Sequence, residues 1–230
     1  MRAGRANRLL DAAGELLLTF GYRKVTIEDV ARRAGVGKGT VYLHWASKLE
    51  LFATVLVRDS VEVNRALLAA LHTDPTEVLL HRTLRTSYIE VMQRPLTRAF
   101  FRGDTDLLGA VATDSKIGTR VVADKTEFLP GYLTVLHQHG LLTDDPATDA
   151  GLAYRLSAAT VGFFLPARLV PGAEADLGAR ADALATTVRR GFEPDPAPGP
   201  AAIGAAAPVV AELHQQRLTE LTRVLPEEQP

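Results

Sequence analysis

Residues 37–44, GKGTVYLH, contain the side chains of this sequence that are best suited to chemistry with a partner. Val41 and Trp45 are four residues apart, so on a helix they share one face, which must point inward. An ammonium, a hydroxyl, a phenol and an imidazole then remain on the outer face, where they can donate hydrogen bonds to phosphates or base edges. The run therefore predicts contact with a groove of DNA. The outward residues are Lys38, Thr40, Tyr42 and His44.

Capping signals define the helices that must hold this run in place. Thr26 precedes a helical pattern and Asp29 stands three residues later, which is close to a capping box. Gly35 suits the left-handed end of that helix. Ser47-Lys48-Leu49-Glu50 matches the S-x-x-E capping box and predicts the start of a long helix over 48–71. Lys48 lies in its first turn, where a cation opposes the helix dipole, so the pattern favours an outside partner such as phosphate.

A further set of positions repeats the pattern of a known family. These are Gly21, Thr26, Ile27, Val30, Ala31, Ala34, Gly35, Val36, Gly39, Thr40, Tyr42, Trp45, Lys48 and Leu51. Through them, residues 5 to 55 closely resemble the DNA-binding helix-turn-helix of the tetracycline-repressor (TetR) family of bacterial regulators. Two positions depart from the family pattern. Gly37 stands where the family often has Ser, which removes a hydroxyl that could meet phosphate, and Trp45 stands where Phe is usual.

The resemblance and the helical pattern together imply an all-α protein. We expect an N-terminal three-helix DNA-binding domain at 1–47, with its helix-turn-helix at about 26–45, joined by a long helix to a larger ligand-binding and dimerisation body at 48–192. About nine helices are expected, plus one extra helix at 209–225 after a Pro/Ala-rich linker at 193–208. The residues expected to contact DNA are Thr26, Lys38, Gly39, Thr40, Tyr42, His44 and Lys48.

Composition excludes several other functions. The chain has no cysteine, so disulfides, zinc–thiolate sites and thiol catalysis are ruled out. Residues 1–50 contain nine Lys or Arg and five Asp or Glu, whereas the remainder contains 17 and 22, so a basic head precedes an acidic body. No apolar run is long enough to span a bilayer and no secretion signal is evident, so we expect a cytoplasmic protein with no membrane partner.

The body carries weaker signals. As a set, aromatic and apolar residues near a Pro130-Gly131 break favour a pocket for a small-molecule effector, although an ordinary core position is the more common explanation for any single one. In the family the last two body helices pair with their copies in a dimer, and small residues would permit close approach. The pocket set is Tyr88, Met92, Phe101, Phe128, Tyr132 and Phe163. The dimer set is Ala158, Val161, Leu165, Ala181, Leu184 and Val188.

These inferences predict a homodimeric repressor that binds a palindromic DNA operator and is released by a small-molecule effector. An activator of the same family is the first alternative. A helical small-molecule-binding protein or enzyme without DNA binding is the second. The sequence offers little for an enzyme, because it has no phosphate-binding loop, no dinucleotide-binding turn and no Glu-x-x-His pair. We therefore expect no catalytic residues, no metal and no cofactor.

Overall fold

Helices account for all the regular secondary structure in the residues described by the structure, a computed structural model that covers 4–98, 110, 111, 113–164 and 176–226. A 3-10 turn at Pro75–Val78 lies between α4 and α5. Within these ranges, the longer α-helices are α1 (Arg5–Phe20), α2 (Ile27–Ala34), α3 (Lys38–His44), α4 (Lys48–Thr73), α5 (Leu80–Gln93), α6 (Lys116–Gln138), α7 (Leu152–Phe164), α8 (Leu177–Phe192) and α9 (Pro200–Thr222), and residues 95–98 are also helical. The all-α prediction is confirmed. No helix in these ranges combines the length and apolarity that crossing a bilayer requires.

The chain folds into two compact units. The head unit comprises Met1–Glu62, Arg94–Ala123 and Thr219–Pro230, and the body unit comprises Val63–Gln93 and Asp124–Leu218. The boundary expected after residue 47 lies inside the head unit. The first turns of α4 explain this, because Leu51 and Phe52 are fully buried in the same cluster as the apolar faces of α1, α2 and α3.

A single apolar cluster holds the three N-terminal helices together. Leu9 and Leu10 of α1, Val30 of α2 and Val41 of α3 are at most 1% exposed. The indole N–H of Trp45 donates to the hydroxyl of Thr54 at 2.8 Å, which satisfies the one polar group that this large side chain buries. α3 therefore rests on a closed core, and the side chains that this core does not bury form the outer face of α3.

The body unit is organised around α5 and α8, which pack along each other. Tyr88 of α5, Leu133 and Leu136 of α6 and Leu184 of α8 are buried in one cluster. Pro130 was expected to kink or break α6. The break is absent, because α6 is one helix from Lys116 to Gln138. A proline removes only one ladder hydrogen bond. The burial of Leu133 and Leu136 directly after it holds the helix together.

The expected linker at 193–208 is wrong in its second half. α9 begins at Pro200, so residues 200–208 are helical and the non-helical connection is shorter. Proline suits the first position of a helix, and alanine has the highest helix propensity, so this composition is compatible with a helix once its apolar face is covered. That cover exists, because Ala206, Ala207 and Val210 are buried in the core of the body unit.

Candidate DNA-binding surface

The capping box predicted at the start of α2 is present. The backbone N–H of Asp29 donates to the Thr26 hydroxyl at 3.2 Å, and the backbone N–H of Thr26 donates to the Asp29 carboxylate at 3.0 Å. The same hydroxyl donates to that carboxylate at 2.6 Å, and these bonds lower the pKa of Asp29. Gly35 then ends α2 at a φ of 69°, in the left-handed region. Thr26 is therefore the N-cap of α2.

α3 presents the side chains that the sequence places on its outer face. Val41 is fully buried and Trp45 is 3% exposed, as their four-residue spacing predicts. Tyr42 is exposed, as are Lys38 and Gly39, and Thr40 and His44 are half-buried at its edge. A Cβ atom at Gly37 or Gly39 would meet nothing within 4 Å, so these glycines leave open space in front of the helix. Such space permits close approach of a DNA backbone.

Lys38 is tied to α2 by an ion pair. Its ammonium is hydrogen-bonded to the carboxylate of Glu28, and this bond raises the pKa of Lys38. The ammonium also lies 5.9 Å from the centre of the Tyr42 ring. Both Lys38 and Glu28 are about half exposed, so the pair is solvated and easily exchanged for a phosphate contact. The ammonium of Lys38 is thus held at the start of α3 while it stays exposed and charged.

Lys48 has a partner inside the chain, which changes how its position is explained. Its ammonium donates to the backbone carbonyl of Tyr22 and lies 4.2 Å from the centre of the Tyr22 ring. Partial burial lowers the pKa of Lys48. A cation in the first turn of α4 is accounted for by these contacts alone. A phosphate contact by Lys48 stays a prediction.

Leu43 is a surface residue that the sequence prediction missed. It lies between Tyr42 and His44 on α3 and is 83% exposed. The sequence pattern assigns polar side chains and Gly39 to DNA, yet an apolar side chain on a recognition helix can contact the methyl group of thymine. The available signal was its helical position, which is two residues from Val41 and therefore off the buried face.

The residues predicted for an effector pocket lie together in the body unit. Tyr88, Met92 and Tyr132 are buried, and Phe128 and Phe163 pack against the same cluster. The Tyr88 hydroxyl donates to the Phe163 carbonyl at 3.2 Å, and the Tyr132 hydroxyl donates to the Thr83 hydroxyl at 3.2 Å. Burial raises the pKa of Tyr132. Phe101 lies outside the described residues. The use of this cluster as a ligand site stays a prediction.

α9 adds residues to the aromatic cluster that the sequence did not suggest. The His214 ring lies 5.4 Å from that of Phe128 and 6.0 Å from that of Tyr132. The guanidinium of Arg217 lies 4.5 Å from the centre of the Phe128 ring. His214 is also hydrogen-bonded to Asn64 of α4, so α9 docks on its own body unit through polar as well as apolar contacts.

Half of the predicted dimer interface is wrong. Ala181, Leu184 and Val188 of α8 are fully buried in the core of their own chain and cannot meet a partner subunit. An apolar stripe on a helix does not show whether it packs in its own core or against a partner subunit. Here the stripe of α8 packs against α5. Ala158 and Val161 of α7 are exposed and stay available. Leu165 lies outside the described residues.

The first three helices define the class of protein. α2 and α3 are joined by a short turn at residues 35–37, α1 closes the core behind them, and α3 carries an exposed polar face. This is the helix-turn-helix arrangement, in which the second helix of the motif is the one that enters the major groove of DNA.

Comparison with known proteins finds similarity to bacterial regulators. Residues 9–55 match the family model described as "Bacterial regulatory proteins, tetR family". The transcriptional activator FasR of Mycolicibacterium smegmatis is 30% identical over 125 residues, which are 54% of this chain and 57% of FasR. The transcriptional repressor KstR of Rhodococcus jostii is 28% identical over 123 residues, 52% of this chain and 58% of KstR. The N-terminal part of the chain is therefore similar to regulators of the tetR family.

The chain spans a little under three fifths of the length of these two curated relatives. A solved structure extends the similarity of fold to most of the chain. It is a transcriptional regulator from Saccharomonospora viridis in complex with choline, with a TM-score of 0.56 and 22% identity. The match covers 82% of this chain and 97% of that one.

Proposed function

We propose that this protein is a transcriptional regulator that binds operator DNA through α3. The observation that carries the proposal is the division of α3 into two faces. Val41 on this helix and Trp45 directly after it are sealed in the core, while Lys38, Tyr42 and Leu43 are exposed. An exposed helix with this mixture of groups, held by a capped partner helix, is suited to the major groove.

The side chains divide by chemistry into two roles. Lys38, Tyr42 and Lys48 bind phosphates, because an ammonium and a phenol are donors that do not depend on sequence. Thr40 and His44 meet base edges, and Leu43 packs on thymine methyl groups. Thr26 helps to orient the motif on the backbone, and Gly39 allows close approach. Gly37 provides no hydroxyl, so fewer phosphate contacts are made at this turn.

DNA binding is tested by fluorescence anisotropy with DNA from the region beside the protein's own coding sequence. Lys38→Ala should weaken binding and reduce the dependence of log affinity on log salt by about 0.9, the value for one phosphate contact. Arg190→Ala removes an exposed cation from α8 of the body unit and serves as the control. Equal affinity of wild type and Lys38→Ala on every DNA would show that α3 is not the reading helix. Failure of the wild type to bind any of these fragments would favour a ligand-binding protein without DNA binding.

We propose that the active form is a homodimer whose contact surface includes the exposed face of α7. Tyr154 is 77% exposed and Val161 is 50% exposed, and with Ala158 they follow a spacing of four and three residues on one face. Exposed small residues of α8 would also allow a helix of the partner subunit to pack closely. They are Ala179, Ala183 and Thr187. A dimer presents two recognition helices to two half-sites, which explains why palindromic operators suit this class.

We propose that a small-molecule effector binds in the aromatic cluster of the body unit and changes DNA affinity. The support is the gathering of Tyr88, Phe128 and Tyr132 in one cluster, and the choline complex of a protein with this fold. An effector acts by binding one conformation more tightly than the other. We favour repression relieved by the effector. A reporter gene whose output rises when the protein is deleted supports repression, and one whose output falls indicates activation.

A further inference from the structure

Glu50 does not do what its sequence motif predicts. In an S-x-x-E capping box, the glutamate carboxylate reaches back to the backbone N–H of the serine. The Ser47 hydroxyl does accept the backbone N–H of Glu50, at 3.2 Å. The carboxylate of Glu50, however, points to a different helix and binds the start of α6, 65 to 67 positions later in the sequence. Half of the box is formed, and the other half has become a tertiary contact inside the head unit.

The carboxylate of Glu50 completes the N-terminus of α6. The first amides of a helix have no partner within the helix and must be satisfied from outside. The backbone N–H groups of Lys116 and Ile117 donate to the two oxygens of Glu50 at 2.7 and 3.2 Å. The Ser115 hydroxyl accepts from Gly118 N–H at 3.0 Å and itself donates to Glu50 at 3.0 Å. Glu50 and Ser115 thus satisfy the first three amides of a 23-residue helix, and the charge faces the positive end of its dipole.

Close packing makes this junction stiff. Ser115 is 1% exposed, and Ile117 packs against the same apolar cluster that supports α1, α2 and α3. A Cβ atom at Gly118 would lie 1.9 Å from the carbonyl oxygen of Val111, so the two backbones approach where only glycine fits. Glu50 itself is two residues from Lys48, at the start of the helix that directly follows the helix-turn-helix. The start of α6 is therefore fixed to the base of the DNA-binding motif.

We propose that Glu50 is a positioning residue that sets the direction of the recognition helix relative to α6, and thereby the spacing of operator half-sites that the dimer accepts. The inference rests on the proposed function, because spacing has meaning only for a protein that reads two half-sites. Half-sites on one face of DNA lie about 34–36 Å apart, and a dimer matches that distance only if each head is held at a fixed angle. Loss of the cap frees α4 from α6 and loosens that angle.

The test measures spacing preference as well as affinity. Half-sites selected with the wild type are placed in palindromes whose central spacer varies by single base pairs, and binding is measured for wild type, Glu50→Ala and Glu50→Gln. Glu62→Gln removes a carboxylate from the same helix, 12 positions after Glu50, and is the matched control. We expect the wild type and the control to prefer one spacer by about tenfold over its neighbours, the size of a typical mismatch penalty. In Glu50→Ala this preference should fall to about threefold or less, with Glu50→Gln intermediate.

A purely stabilising role gives a different result. If Glu50→Ala binds every spacer more weakly by the same factor and keeps the wild-type preference, the proposal is wrong. Amide exchange provides a second measurement, and Lys116 and Ile117 should exchange faster in Glu50→Gln than in Glu62→Gln. If Glu50→Ala does not fold, Glu50→Gln is judged by the same spacing criterion. A wild-type protein that binds no palindrome at all would overturn the proposed function itself, and this inference with it.

Discussion

Acid should loosen the docking of α9, and His214 determines by how much. His214 is 3% exposed, and its ring is hydrogen-bonded to Asn64 through Nδ1 at 2.9 Å. The Asn64 Nδ2 donates to the His214 carbonyl at 2.8 Å, so Asn64 Oδ1 is an acceptor and Nδ1 of the neutral ring carries the proton. The groups facing the ring are Phe128, Tyr132 and Arg217, none of which is negatively charged at neutral pH. The docked site therefore disfavours a charged imidazole.

Burial, followed by the charge of Arg217, lowers the pKa of His214 from 6.5 to about 4. An undocked chain takes up a proton below pH 6.5, whereas the docked chain takes one up only near pH 4. Stability is therefore complete above pH 6.5 and is lost as the pH falls towards 4. The whole difference corresponds to about 3 kcal/mol, of which about 2 kcal/mol should be lost between pH 7 and pH 5.

Urea unfolding at pH 7 and pH 5 measures this loss. His214→Gln removes the titration, and His72→Gln removes an exposed imidazole from α4 as the control. The wild type and the control should each lose about 2 kcal/mol more than His214→Gln between the two pH values, because other titrating groups cancel in the comparison. An equal loss in all three proteins would refute the reasoning. Such a result would mean that His214 is free to take up a proton in the folded protein.

Other expectations concern the DNA-binding and dimer surfaces. Replacing operator thymines with deoxyuridine removes their methyl groups and should cost the wild type about 1 kcal/mol at sites that Leu43 contacts, but should cost Leu43→Ala nothing. If the wild type and Leu43→Ala lose the same binding free energy, Leu43 does not contact thymine. Lys48→Met should reduce the salt slope of binding by about 0.9, whereas an unchanged slope would leave Lys48 only as a tie to Tyr22. Tyr154→Arg should shift the protein from dimer to monomer in sedimentation velocity, and an unaltered dimer would place the interface elsewhere.

The helix-turn-helix was the part of the molecule that could be predicted in detail. Its signals act over three or four residues, so the residues that decide the structure are neighbours in the sequence. Thr26 and Asp29 form the expected capping box, Gly35 adopts the expected left-handed turn, and Val41 and Trp45 are buried as their spacing requires. In such short-range features the chain has few alternatives, because backbone hydrogen bonds must be satisfied locally.

Errors arose where a local pattern fits more than one distant partner. The apolar stripe of α8 suited a dimer interface as well as a core, and packing against α5 decided it for Leu184 and its neighbours. The proline-rich start of α9 looked like a linker because nothing in its composition shows the buried surface that Ala206 and Val210 find. These outcomes depend on which surfaces meet, and sequence periodicity describes only one of the two surfaces.

Glu50 takes part in one contact that is local in the sequence and in others that depend on tertiary structure. By itself, the sequence determined that a helix begins after Ser47, because the serine hydroxyl and the helical spacing are sufficient to start one. Only the tertiary structure decided where the Glu50 carboxylate goes, since the unsatisfied amides of Lys116 and Ile117 compete for it from the start of another helix. A charged acceptor binds the donors that are most in need of a partner, and folding brings those donors close.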